Sequence, residues 1–212
     1  MKARLCLILI LSFVAGGCAM GNRYAYDTTV ADTGVRGSST VAVAVHDERP
    51  YVVSGDKTPQ FVGVQRGGFG NTFDVKTGGN QPLSTDMAAS LVASLSRSGF
   101  KAQAVAVAYT DSDEKVRMAL VATGAERSVL LTVREWKSDS MLRLGLDYDL
   151  RLSVLGRDGS VLAESQVHGT KEVLGAAPII PSDAGPMVAN AFKAKLEQLF
   201  ADPAVAHALR AE

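Results

Sequence analysis

Apolar positions along this chain recur with two distinct periods. In 40–46, Val41, Val43 and Val45 stand at every second residue, with Ala42 and Ala44 between them. That alternation predicts a strand whose second face is small enough to be covered. The period changes after Pro82-Leu83-Ser84, where Leu83, Met87, Leu91 and Leu95 fall four apart, with Ala88 and Val92 widening the stripe. This predicts an amphipathic helix, with Ser84 or Thr85 as cap and Gly99-Phe100 as a left-handed stop with its hydrophobic contact. A strand over 102–107 follows. Asp111-Ser112-Asp113-Glu114 then sets caps and negative charge at the start of a shorter helix, where the helix dipole favours them. Val116, Ala119, Leu120 and Thr123 form its inner face.

The second half of the chain is mostly strand. Val129, Leu131 and Val133 share a face of 128–136. Leu144, Leu146, Tyr148, Leu150, Leu152 and Val154 then alternate with polar residues, giving one buried and one wet face. Asp158-Gly159 predicts a two-residue hairpin in which opposite residues sum to 317, so that Leu150 faces Val167 and Tyr148 lies over Gly169. Gly185-Pro186 opens a last long helix with Val188, Phe192, Leu196, Leu199 and Phe200 on its buried side. Asp202-Pro203 ends it and starts a final turn over 204–209.

The order βαβαβββα predicts an α/β two-layer sandwich with a mixed five-stranded sheet. Right-handed crossovers between neighbouring parallel strands would put the helices on one face. Two segments fall outside this scheme. Residues 19–39 are polar and poor in large aliphatics, and read as a flexible tether. The segment 54–80 is rich in glycine, with Phe61, Phe69 and Phe73 spread through it. With the residues just before it, 51–80 reads as a long loop with β-like pieces at 51–53 and 61–64, of a length usually either functional or mobile.

Composition sharpens the picture at the N-terminus. Lys2 and Arg4 precede an apolar run over 5–14, which is too short to span a bilayer, a task for about 20 residues. Ala15-Gly16-Gly17-Cys18 resembles a bacterial lipobox, with Ala15 where Leu is usual. Residues 1–17 are therefore expected to be a lipoprotein signal peptide, 18–39 a lipidated cysteine with its tether, and 40–212 a single periplasmic domain. Two or three acyl chains on Cys18 would anchor it stably to a membrane. Ala19 in place of Asp implies, by the same resemblance, sorting to the outer membrane with the domain on the periplasmic side.

The whole chain has 22 basic and 22 acidic residues. Loss of Lys2 and Arg4 leaves it slightly acidic, with no basic field for nucleic acid. Cys6 leaves with the signal and Cys18 carries lipid, so thiol catalysis, disulfides and cysteine-bound metals are excluded.

The candidate chemistry is sparse. In the predicted register His168 sits opposite Asp149 on the wet face, a pair that suits a general base only beside a nucleophile, and none stands in a recognisable setting. His46 and His207 read as ordinary polar positions. Arg66-Gly67-Gly68-Phe69-Gly70-Asn71 lacks the Gly-Lys-Ser/Thr ending of a phosphate loop. Trp136 is either an interface anchor or, if the glycine-rich segment covers it, core. No metal or cofactor is expected, and the candidate partner-binding residues are Phe61, Arg66, Phe69, Phe73 and Trp136.

The lipobox, the short tether, Val41-x-Val43-x-Val45, the helix 86–97 ending in Ser98-Gly99-Phe100, the polar meander and the C-terminal helix together resemble the YajG-type outer-membrane lipoproteins of Gram-negative bacteria. The resemblance implies no catalytic residues. The expected function is a non-enzymatic, lipid-anchored adaptor that binds an envelope protein. The alternative is an accessory lipoprotein of an envelope transport system that binds a lipid or glycan.

Overall fold

The computed structural model describes residues 22–67, 69–177 and 183–210. Cys18 and the signal segment lie outside the described residues. In chain order the elements are β1 (Arg23–Tyr24), β2 (Thr40–Asp47), α1 (Pro50–Val53), β3 (Phe61–Arg66), β4 (Thr72–Thr77), α2 (Leu83–Arg97), β5 (Lys101–Ala104), α3 (Asp113–Val121), β6 (Arg127–Ser140), β7 (Arg143–Leu155), β8 (Val161–Ala176), α4 (Ala184–Phe200) and α5 (Pro203–Arg210). They form one mixed sheet of eight strands rather than the expected five.

The long strand β6 organises the sheet. β7 pairs antiparallel along one of its edges, and β8 pairs with β7. The other edge is shared. β2 runs parallel to β6 from Val41–Asp47, and β3 runs parallel to it farther on, at Ser138–Ser140. A bulge between Val133 and Glu135 separates the two stretches. Beyond β2 lies β5, and beyond β3 lie β4 and then β1. The glycine-rich segment is thus largely a β-hairpin, β3–β4, that widens the sheet, while its piece at 51–53 is a helical turn instead of a strand.

Strand order decides where the helices go. From β2 the chain passes through β3, β4 and α2 before reaching β5 on one side of β2, whereas α3 carries it from β5 back to β6 on the other side. Right-handed crossovers in opposite directions place their helices on opposite faces. Val41, Val43 and Val45 accordingly pack with Met87, Leu91 and Leu95 of α2, and Ala42 and Ala44 pack with Val116 and Leu120 of α3. The expectation that all helices share one face fails for α3. It holds for α2, α4 and α5, and α4 touches both β1 and the β7–β8 pair, so the sheet curls around it.

The bulge at Arg134 also settles Trp136. Without it, Trp136 would share the outer face with Leu130 and Thr132. The extra residue shifts the phase by one, so Trp136, Ser138 and Ser140 continue the inner face of Leu131 and Val133. Trp136 is fully buried. It meets Tyr26 and Phe192 edge-on, with centroids 6.1 and 5.6 Å away, and its Nε1 donates to the Tyr26 hydroxyl at 3.0 Å. Burial pushes the Tyr26 hydroxyl far above its ordinary pKa. Nearby, the buried Arg49 guanidinium holds Asp47 at 2.7 and 2.8 Å and donates to the carbonyls of Phe61, Pro59 and Trp136, tying β2, β3 and β6 together.

Residues 22–39 are packed against the domain, which corrects their reading as a tether. Tyr24, Tyr26, Ala31, Thr33 and Val35 are buried. Ser90 and Ser94 on α2 and Ser98 at its C-cap, each one turn apart, receive this segment. Ser90 Oγ donates to the Thr29 carbonyl, the Ala31 amide donates to Ser94 Oγ, and Thr33 Oγ1 bonds Ser98 Oγ at 2.7 Å. Backbone groups of an irregular segment need such partners once they leave water.

Several local expectations hold. Phe100 N–H donates to the Leu95 carbonyl and Gly99 N–H to that of Ser96, closing α2 in a Schellman motif with Gly99 at φ 99°. Ser112 caps α3 by accepting from the Lys115 amide. α2, however, begins at Leu83 behind Pro82 with no side-chain cap from Ser84 or Thr85. The β7–β8 register sums to 317 from Tyr148–Gly169 through Val154–Ala163. Its turn differs from the two-residue form. Gly159 N–H donates to the Gly156 carbonyl, Gly156 pairs with Ser160, and a compensating shift between Val154 and Leu155 restores the register. Tyr148 covers Gly169 closely enough that a Cβ there would stand 2.6 Å from its ring.

Candidate functional site

Two hairpin ends, β3–β4 and β6–β7, meet the C-terminal end of β8 at one end of the sheet, because β3 lies parallel beside the last residues of β6, and β7 starts beside the end of β8. The β3–β4 turn carries Phe69, which is 98% exposed. Its geometry rests on Gly67 N–H donating to the Asn71 carbonyl and on Gly70 at φ 81°. Arg66 pins this hairpin to β6 by a two-pronged pair with Asp139, at 2.8 and 2.6 Å. The guanidinium holds the Asp139 carboxyl below its ordinary pKa. Phe73 is half-buried and lies against Gly67.

The β6–β7 turn is Met141-Leu142, 53% and 82% exposed, and Val173 on β8 is 55% exposed. Turns of this kind ordinarily take glycine, asparagine or aspartate. Two large apolar side chains at such a position give up burial that the fold does not require of them. They flank an open cleft of about 540 Å³ that also touches Lys137, Arg143 and Lys171.

Of the residues singled out in the sequence, Arg66, Phe69 and Phe73 come together on the β3–β4 hairpin. Phe61 and Trp136 are buried in the sheet and cannot face a partner. Met141 and Leu142 escaped the sequence reading. Their signal was an apolar pair between two alternating strands, where a turn had to fall.

The outer face of β6, β7 and β8 beyond α3 is the second candidate. Glu135, Asp147, Asp149, Gln166, His168 and Thr170 line a shallow cleft there of about 540 Å³. Lys137 pairs with Asp147 at 3.3 Å. His168 stands opposite Asp149 as the register requires, but the Asp149 carboxylate takes the Gln166 amide at 2.8 Å instead.

A third cluster sits at the C-terminal end of β2. His46 Nδ1 lies 3.3 Å from Glu48 Oε1 and 3.7 Å from Asp113 Oδ1. Among the described residues, these three form the group that could offer ligand atoms to a cation, although Glu48 also takes Arg134 at 3.4 Å. The sequence separates His46 from Asp113 by a whole crossover, so only the strand order brings them together.

No family model and no curated protein sequence matches this chain. Solved structures do resemble it. Protein XCC0632 from Xanthomonas campestris, of the DUF330 family, superposes with a TM-score of 0.51 at 16% identity, covering 89% of this chain and 95% of its own. At that identity the likeness shows a shared fold. The LpoB C-terminal domain from Salmonella enterica matches at 14% identity and TM-score 0.34, over 69% of this chain and 96% of its own. Lipoprotein GNA1162 from Neisseria meningitidis matches at 12% and 0.29, over 76% and 99%. These two superpositions are too loose to carry an argument.

Proposed function

We propose that this protein is a lipid-anchored lipoprotein of a Gram-negative envelope, held by acylated Cys18 at the periplasmic side of the outer membrane. There it serves as a non-enzymatic adaptor for an envelope protein. The observation that carries this reading is the position of the lipobox cysteine, four residues ahead of Asn22, whose carbonyl already accepts from the Lys76 amide. An acylated cysteine there holds a rigid domain directly on a membrane.

The outer face of β6–β8 is the partner surface. It presents both signs of charge on paired strands, among them Lys137 and Asp147, and charged faces of this kind set partner choice. The lipid- or glycan-binding alternative calls for a sizeable apolar cavity between sheet and helices; Tyr26, Trp136 and Phe192 fill the centre of that space, and the apolar groove left between α2 and the β5 edge holds about 280 Å³.

Two measurements test the proposal. Cys18→Ser should move the protein from the outer-membrane fraction to the soluble periplasm. Retention in the membrane would refute the anchor. A photo-crosslinking residue at Gln166 or Thr170 should trap one dominant envelope protein in cells. Crosslinks to lipid or glycan alone would reject the adaptor role.

A further inference from the structure

The direction in which the chain enters the fold orients the molecule on a membrane. β1 is parallel to β4, with Arg23 level with Lys76 and Tyr24 with Thr77, and Lys76 N–H donates to the Asn22 carbonyl at 3.0 Å. β4 runs away from its turn, from Thr72 to Thr77. The chain therefore comes into β1 from the side of the β3–β4 turn. Asn22 stands level with Val75, three residues from the start of β4, or about 10 Å at strand spacing. Cys18 lies four residues before Asn22, which allows at most about 14 Å of extended chain. The anchor's reach thus matches the distance from Asn22 to the hairpin end. Asn22 is level, through Val75 and Gly63, with Ser138, so the opposite end of β6 at Arg127 is about 36 Å away at the same spacing and is beyond it.

That same end exposes Phe69, Met141 and Leu142. Arg143 and Lys171 stand beside them, exposed, with aliphatic stems that can lie along an apolar surface while their charges stay in the headgroups. We propose that these hairpin ends seat in the lipid interface, so that the domain lies on the bilayer through Phe69, Met141 and Leu142 as well as through its acyl chains. The occupant of the patch is the membrane surface. The inference rests on acylation of Cys18, and it leaves the outer face of β6–β8 directed toward the periplasm for a partner.

The mature chain has no cysteine other than Cys18, so a single added thiol can be labelled cleanly. Full-length lipidated protein with Phe69→Cys, Leu142→Cys or, at the opposite end of the sheet, Arg157→Cys would carry an environment-sensitive fluorophore. It would be placed on phosphatidylethanolamine–phosphatidylglycerol vesicles containing doxyl-quencher lipid. All three sites are exposed, so the labels leave the core intact, which circular dichroism would verify. Severalfold stronger quenching at positions 69 and 142 than at 157 is expected. It should be lost at position 69 when Met141→Asp and Leu142→Asp are added.

Equal quenching at all three sites on protein whose N-terminal peptide carries lipid by mass spectrometry would overturn the membrane seat and leave the anchor standing. Self-crosslinking through 69 or 142 would overturn it in favour of a second copy. An unmodified Cys18 together with failure to float with vesicles would overturn the anchor itself.

Discussion

Asp86 shows how one residue can set a pH dependence. It lies in the first turn of α2 and is buried, and its Oδ2 has no hydrogen-bond partner among the described residues. Burial first, and the Asp27 carboxylate second, push its pKa from 3.8 up to about 6. Between those values the folded protein binds a proton that the unfolded chain has released. Stability therefore falls as pH rises through that window and stays lowered above it. Asp86→Asn should stabilise the protein at pH 7.5 by on the order of 1–2 kcal/mol and bring no comparable gain at pH 3.5. Urea titrations at both pH values check this, and equal gains would refute it. The residue was visible in the sequence only as a helix N-terminal acid. Its burial follows from the N-terminal segment folding back over α2, which no local pattern announces.

At the scale of elements, the bulge in β6 is the decisive feature. Deleting Arg134 removes the one extra residue, so the strand must turn either Trp136 or Val133 and Leu131 outward. Loss of Trp136 burial alone costs about 3–5 kcal/mol. The deletion should therefore abolish or severely weaken cooperative unfolding. Arg134→Ala, which keeps the residue count and removes only a half-exposed pair with Glu48, should cost less than about 1 kcal/mol. Thermal melts of the two variants separate register from charge. The β7–β8 hairpin gives the opposite lesson. Its alternation was strong enough to specify the register from sequence, and the protein reaches that register through a different turn and a compensating shift.

For the molecule as a whole, the N-terminal segment is part of the fold. A chain starting at Asn22 is the reference, since it keeps every buried residue named above. One starting at Ser38 loses the buried Tyr24, Tyr26, Ala31 and Val35, and its Tm should fall by at least roughly 10 °C. A flexible tether would predict no change, so the two melting curves decide between the readings. With Cys18 acylated as proposed, the same packing would hold the domain close to its anchor and bring the apolar hairpin ends toward the membrane.

Local periodicity was enough to locate β2, β6, β7, β8 and the buried sides of α2 and α4, because side-chain alternation records which face of an element avoids water. The Schellman stop at Gly99 and the Tyr148–Gly169 contact were legible for the same reason. The lipobox is likewise a contiguous signal, and it alone motivates the anchor. Other features depended on which strands are neighbours. Strand order put α3 on the far face and brought His46 to Asp113. The two partners on one edge of β6 meet at the bulge that buries Trp136. Parallel pairing of β1 with β4 aims the chain's entry at the end where Phe69, Met141 and Leu142 gather. Such pairings join residues far apart in sequence, and the period of hydrophobicity within one strand carries no information about the strand that comes to lie beside it.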